Sequence, residues 1–316
     1  MSVKTSHTTQ GSANAADAAS TLLRDLIDYA GLFPPASLSM SRSVSNYEEY
    51  LRSQWKWNLG RFIVPVARLQ EFEDAFARLP NSASSESNVK WRLSVLLGSY
   101  PLADAARIHE FNLRTAKSTS FRTAVVESIE VKVTSAREVE QISAIIPHEL
   151  SAYFEIPPAS MSECIPALAR CGRRAKIRTG GETADKFPAA EDIVEFIRLC
   201  AANNVPFKAT AGLHHPLRSV HRLTYQSDSP LGMMHGFINL FLAAAFLRAG
   251  MDDKLTVQLL EEQSPQAFHF DEDGVSWRED RLTVREIAAA RQDFAISFGS
   301  CSFTEPIDDL RSLSLL

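Results

Sequence analysis

Short apolar runs alternate along this chain with longer stretches in which apolar residues recur every three or four positions. The runs at 26–29, 60–64, 91–97, 123–131, 151–156, 175–178, 206–210 and 295–298 have the length and composition of strands covered on both faces. The stretches at 46–54, 69–78, 103–115, 136–146, 161–170, 190–202 and 232–249 read as helices. Ser135 with Glu138, Ser160 with Glu163, and Thr283 with Glu286 each fit a capping box, in which the two side chains satisfy each other's backbone N–H groups. Eight strands alternating with helices predict an α/β fold, a (β/α)8 barrel closed by a last helix at about 305–313. An open doubly wound sheet shares the local pattern, but the eightfold count uses the whole chain.

The connection between the seventh and eighth strands, 214–293, is far longer than one crossover. It is expected to hold the apolar helix, a second helix at 254–262, and a hairpin of 268–270 and 275–277 around Asp271-Glu272-Asp273-Gly274. At the catalytic end of a barrel such an insertion serves as a lid, an oligomer contact or a structural decoration. Residues 1–20, rich in Ser, Thr and Ala, read as a disordered tail, which leaves 21–316 as one barrel domain. The serine-rich stretch after Pro80 reads as a polar loop.

Composition narrows the function. Hydrophobic residues make up 45% of the 316, enough for a sizeable core. Net charge is −5 and no basic cluster dominates a segment, which argues against nucleic acid and anionic membranes as partners. The most apolar stretch, 237–247, is shorter than the ~20 residues that span a bilayer. Four cysteines without CxxC spacing fit reduced thiols in a cytoplasmic protein. Neither a GxGxxG nor a GxxxxGK[ST] motif supports a nucleotide fold.

In a barrel, side chains at the C-terminal ends of the strands converge on one site. The sixth strand offers Lys176 and Arg178, and the seventh offers Lys208 and Thr210, followed by Gly212, His214 and His215. The fifth offers Glu155, the fourth Glu127 and Glu130, and the first Asp28. The eighth ends in Gly299, Ser300, Cys301 and Ser302, a small polar turn suited to an anion. An amine attacks a carbonyl only when unprotonated, and a neighbouring cation disfavours the ammonium form. Lys208 and Arg178 are expected to act on Lys176 in this way, with Glu155 or Asp28 moving protons. The reading is a Schiff-base-forming lyase acting on a small anionic carbonyl compound. It requires neither cofactor nor metal and leaves a homo-oligomer open.

The segment from Lys176 to Gly181, Lys-Ile-Arg-Thr-Gly-Gly, resembles the Lys-Thr-Ser-Thr-Gly-Phe motif of deoxyribose-phosphate aldolase. The segment from Phe207 to Gly212, Phe-Lys-Ala-Thr-Ala-Gly, is similar to that family's second lysine motif, Val-Lys-Ala-Ser-Gly-Gly. Phe298 to Ser302 resembles its phosphate-binding Ile-Gly-Thr-Ser-Ser turn. The resemblance covers the last three strands, with Arg178 in place of a serine. It implies a class I aldolase on a (β/α)8 barrel, with Lys176 as the Schiff-base lysine and Lys208 as the partner that lowers its pKa. The whole chain also resembles a bacterial protein group with Lys-Ile-Arg-Thr-Gly-Gly and Ala-Gly-Leu-His-His-Pro motifs, which implies no activity.

Other chemistry remains open at this level. A metal-dependent lyase or isomerase would use Glu155, Glu127 and His214 or His215, although adjacent histidines in extended backbone diverge. Cys301 beside a histidine would make a thiol nucleophile. A non-catalytic binding or scaffold protein would use the cationic mouth only to hold an anion.

Overall fold

The structure, a computed structural model, describes residues 18–80, 89–117 and 122–316. Seven strands lead into the barrel: β1 (Ile27–Tyr29), β2 (Leu59–Pro65), β3 (Val89–Leu96), β4 (Arg122–Lys132), β5 (Ser151–Glu155), β6 (Arg174–Arg178) and β7 (Phe207–Thr210). After a long connection the chain returns as β13 (Ala295–Ser300). These eight strands pair in parallel and close on themselves in the order β1-β13-β7-β6-β5-β4-β3-β2. This is the (β/α)8 barrel that the alternation predicts.

The helices are α1 (Ala18–Leu23), α2 (Met40–Arg52), α3 (Leu69–Ala77), α4 (Pro101–Ala116), α5 (Ala136–Ser143), α6 (Met161–Cys171) and α7 (Ala190–Ala202). They continue with α8 (Phe237–Arg248), α9 (Asp253–Leu260), α10 (Val284–Asp293) and α11 (Thr304–Ser312). Outward-facing strand residues meet the helices in an apolar shell. Phe62 and Trp91 pack with Phe72 of α3, and Phe298 stacks on Phe237 of α8 at 5.0 Å between ring centroids. Burying such rings removes large apolar areas from water.

The tail expected over 1–20 falls mostly outside the described residues, but Ala18 to Ser20 belong to α1. The serine-rich loop after Pro80 also lies outside them. Of the three capping boxes, only that of Thr283 and Glu286 is reciprocal. Ser135 accepts from Glu138 N, while Glu138 turns back to Thr134 N at 2.6 Å. Ser160 caps nothing and donates to Thr134 O at 2.6 Å.

The long connection is more structured than its pattern predicts. The ribbon β8 (Ser219–Arg222) and β9 (Leu231–Met234) comes first, so 232–249 is not one helix. Gly236 ends the ribbon and α8 starts at Phe237. That helix is buried on every side between α7, α10 and β13, which explains its uniformly apolar sequence. The expected hairpin, β10 (Phe268–Phe270) and β11 (Gly274–Trp277), gains a third strand, β12 (Asp280–Thr283). Among the described residues no helix is long and apolar enough to cross a membrane.

Candidate active site

Parallel register fixes the site before any side-chain detail. It sets Glu155 on β5 opposite Lys176 on β6, and Lys176 opposite Lys208 on β7. On β4, Glu130 lies opposite Leu96 of β3. The carboxylates then come between the lysines. Lys208 Nζ donates to Asp28 Oδ2 at 2.6 Å and to Glu130 Oε1 at 2.7 Å. Lys176 Nζ lies 2.7 Å from Glu130 Oε2 and 2.8 Å from Glu155 Oε2. Glu130 therefore bridges both lysines, one through each oxygen.

Neutral groups satisfy the remaining lone pairs. Ser94 Oγ donates to Glu130 at 2.8 Å, Ser297 Oγ donates to Asp28 Oδ2 at 2.8 Å, and Arg61 N donates to Asp28 Oδ1 at 2.7 Å. The Tyr153 ring lies 5.4 Å from Lys208 Nζ. The inner face of this barrel is thus a polar network in a place that branched apolar side chains usually fill. Such burial is tolerable only when every charge is paired and hydrogen-bonded.

The electrostatics follow from that pairing. Burial alone would raise the Asp28 carboxyl, but Lys208 and then Arg61 outweigh it and hold it below its ordinary value. Burial likewise opposes ionisation of Glu130, yet Lys176 and Lys208 pull it far below the usual carboxylate range. For Lys208 burial favours the neutral amine, while Asp28 and Glu130 overcome this and raise its pKa. The expectation that Lys208 repels Lys176 therefore meets a different arrangement. An anion stands between the two lysines, and the Lys208 charge is spent on Asp28 and Glu130.

Only one of the two lysines faces open space. Lys176, with Glu130, Glu155, Arg178, Thr210, Gly212, His214 and Gly299, lines a cavity of about 280 Å3 at the C-terminal mouth. Lys208 is 1% exposed and lies beneath it. Arg178 is exposed at the rim, where its Nε donates to Gly180 O at 3.1 Å. A second cavity of about 300 Å3 adjoins the first and shares Lys132, Glu155 and Arg178 with it.

His214 comes with a partner that strand patterning does not reveal. Its Nδ1 lies 3.0 Å from Glu305 Oε2. Burial would raise the Glu305 carboxyl, but its bond and charge interaction with His214 prevail and keep it low, so Nδ1 carries the proton of this contact. Tyr225, from the loop of the β8–β9 ribbon, donates to the same Glu305 oxygen at 3.0 Å. His215 turns away from the cavity. Its Nδ1 meets Asp309 at 2.6 Å and its ring stacks on His221 at 3.3 Å. The two histidine rings stay 6.4 Å apart between centroids, and His215 Nε2 also lies 3.9 Å from Glu305 Oε1.

The expected anion turn is occupied by its own hydroxyls. Ser300 Oγ accepts from Ser302 N at 3.3 Å, and Ser302 Oγ accepts from Glu305 N at 3.1 Å at the start of α11. Ser300 and Ser302 thus organise the turn while Gly299 and Cys301 line the cavity. Burial pushes the Cys301 thiol up, the opposite of an activated nucleophile. Glu127 pairs with Arg92 at 2.9 Å and takes no part in the lysine network. Among the described residues no group of three or more His, Cys, Asp or Glu side chains is placed to hold a metal ion.

Sequence patterning names Glu130 only alongside Glu127, and gives no place to Ser94, Ser297, Tyr225 or Glu305. A register shift in β4 opposite Leu93 and Ser94 breaks the simple alternation that would have chosen between the two glutamates.

No protein-family model and no curated protein matches this chain. Fold and site together define a parallel (β/α)8 barrel with a buried amine–carboxylate network opening onto a cavity at its C-terminal mouth.

Proposed function

We propose that the protein is a Schiff-base lyase of the class I aldolase type, acting on a small carbonyl compound. The observation that carries this is the position of Lys176 Nζ. It stands at the cavity wall between Glu130 and Glu155, over the fully buried Lys208.

The chemistry needs a proton taken from Nζ and returned elsewhere. Glu155, 2.8 Å away and lining the cavity, accepts it. Nζ then bonds the substrate carbonyl carbon. Glu155 passes this proton to the carbonyl oxygen, then takes a second from Nζ and delivers it to the same oxygen, which leaves as water. The iminium draws electrons from the adjacent C–C bond when a hydroxyl on the β-carbon gives up its proton. An aldehyde departs, an enamine remains, and a proton added at the α-carbon followed by water releases the product and restores Lys176.

His214 suits the hydroxyl proton. With Nδ1–H directed to Glu305, Nε2 is the ring nitrogen left to act as a base, and His214 lines the cavity. Lys208 has a different task from the one first expected of it. It keeps Glu130 ionised, and Glu130 in turn fixes Nζ of Lys176. The rim cations Arg178 and Lys132 favour an anionic group on the substrate.

Borohydride reduction in the presence of a panel of aldehydes and 2-oxo acids tests this. Mass spectrometry is expected to find a stable secondary amine at Lys176 and none in Lys176→Ala. No adduct at Lys176 across the panel overturns the reading.

A further inference from the structure

We propose that the substrate is a 2-oxo acid with an apolar side chain, whose tail lies in the second cavity; this rests on the Schiff-base reading. The two cavities meet at Lys132, Glu155 and Arg178. Beyond that junction the walls are Val133, Ile156, Pro158, Met161, Ile177 and Pro188, with only Thr134 and Asp192 adding polar side chains. An apolar space of about 300 Å3 that shares Lys132, Glu155 and Arg178 with the cavity lined by Lys176 favours a hydrocarbon occupant over water.

Strand geometry orders the three parts of such a molecule. Lys176 and Arg178 are two residues apart on β6 and share one face, with the intervening Ile177 on the other. A carbonyl carbon at Lys176 Nζ brings a carboxylate on that carbon toward Arg178. Among the described residues the Arg178 guanidinium makes a single hydrogen bond, from Nε to Gly180 O, so its outer N–H groups are available. The remaining substituent then passes the junction into the space against Ile177 and Met161.

The probes are pyruvate and 2-oxohexanoate, which differ by three methylenes. Each methylene buried from water is worth roughly fourfold in affinity. The half-saturating concentration for borohydride trapping at Lys176 is therefore expected to be at least about tenfold lower for 2-oxohexanoate. Met161→Trp and the exposed Pro158→Trp fill the second cavity, and each is expected to bring the ratio within about threefold. Using two positions, one of them exposed, keeps the test open if one variant does not fold. Equal half-saturation of the two acids in the unaltered protein overturns the inference and leaves the Schiff-base reading standing. A ratio that persists in the filled variants also overturns it, because the tail would then lie elsewhere. No adduct with either acid overturns this inference, and the Schiff-base reading falls with it only if the aldehydes of the panel also leave Lys176 unmodified.

Discussion

Lys208 is 1% exposed, so its charge is balanced within the protein by Asp28 and Glu130. Lys208→Met leaves the buried Asp28 without its ion-pair partner and Glu130 with Lys176 alone. It is expected to cost about 3–5 kcal/mol at neutral pH, read from urea unfolding. The pH dependence separates lost charge from lost packing. Asp28 and Glu130 titrate lower in the folded protein, so their contribution is complete above ordinary carboxylate values and fades as pH falls through the depressed ones. Lys208 titrates higher when folded, so its contribution is complete below its ordinary value and fades as pH rises through the elevated one. Without Lys208 the buried carboxylates favour protonation, and acidification then stabilises the variant. The stability gap between the two proteins is thus expected to narrow from pH 7 to about pH 4. A constant gap would mean that packing, and not charge, was lost. The two lysines were legible in the sequence because each ends a short strand before a glycine turn. Glu130 was named but could not be told from Glu127, because a strand bulge decided its direction, and Ser94 and Ser297, which look like ordinary strand residues, were not named at all.

At the scale of elements, the turns after β6 and β7 hold the mouth in shape. Thr179 Oγ1 donates to Ala211 O at 2.7 Å, and Thr179 N donates to Thr210 O at 2.9 Å. Gly212 follows with φ of +73°, and a Cβ there would stand 2.9 Å from Gly180 Cα. Gly212→Ala thus meets both a left-handed backbone and a neighbouring main chain that cannot rotate aside. Gly172, at the end of α6 with φ of +63°, offers a control, since a Cβ there meets nothing within 4 Å. Gly172→Ala is expected to cost about 1 kcal/mol and Gly212→Ala about 2–3 kcal/mol in chemical unfolding. Only the second should also slow borohydride trapping at Lys176. Equal costs would show that the approach of the two turns carries no energy. The β8–β9 ribbon beside this mouth escaped the sequence reading for a plain reason. Its strands are four residues each, and only His235 and Gly236 part the second from the apolar run of α8.

For the whole molecule, the sequence pattern contains the eight strands but not their closure. Local alternation is the same in an open sheet and a barrel, and what distinguishes them is the pairing of β1 with β13 across nearly the full chain. That seam is short, since β1 has three residues. Arg291 reinforces it from α10. Its Nε donates to Leu22 O at 2.7 Å and its Nη2 to Arg24 O at 3.0 Å, while Nη1 reaches Ala295 O and Ile296 O at the start of β13. One guanidinium thereby ties the approach to the first strand to the beginning of the last. A carbonyl left without a donor in a partly buried setting costs more than the bond itself contributes. Arg291→Met keeps an apolar stem but removes the guanidinium from four carbonyls and from the Phe241 ring 5.1 Å away, so it is expected to lose about 2–4 kcal/mol in urea unfolding. Arg291 lies on the other side of the seam from the cavity, next to residues that begin β13 and not those that end it. Borohydride trapping at Lys176, measured well below the melting temperature, is therefore expected to stay within about twofold of the unaltered protein. A large loss of trapping in a folded Arg291→Met would instead mean that the seam sets the geometry of the mouth.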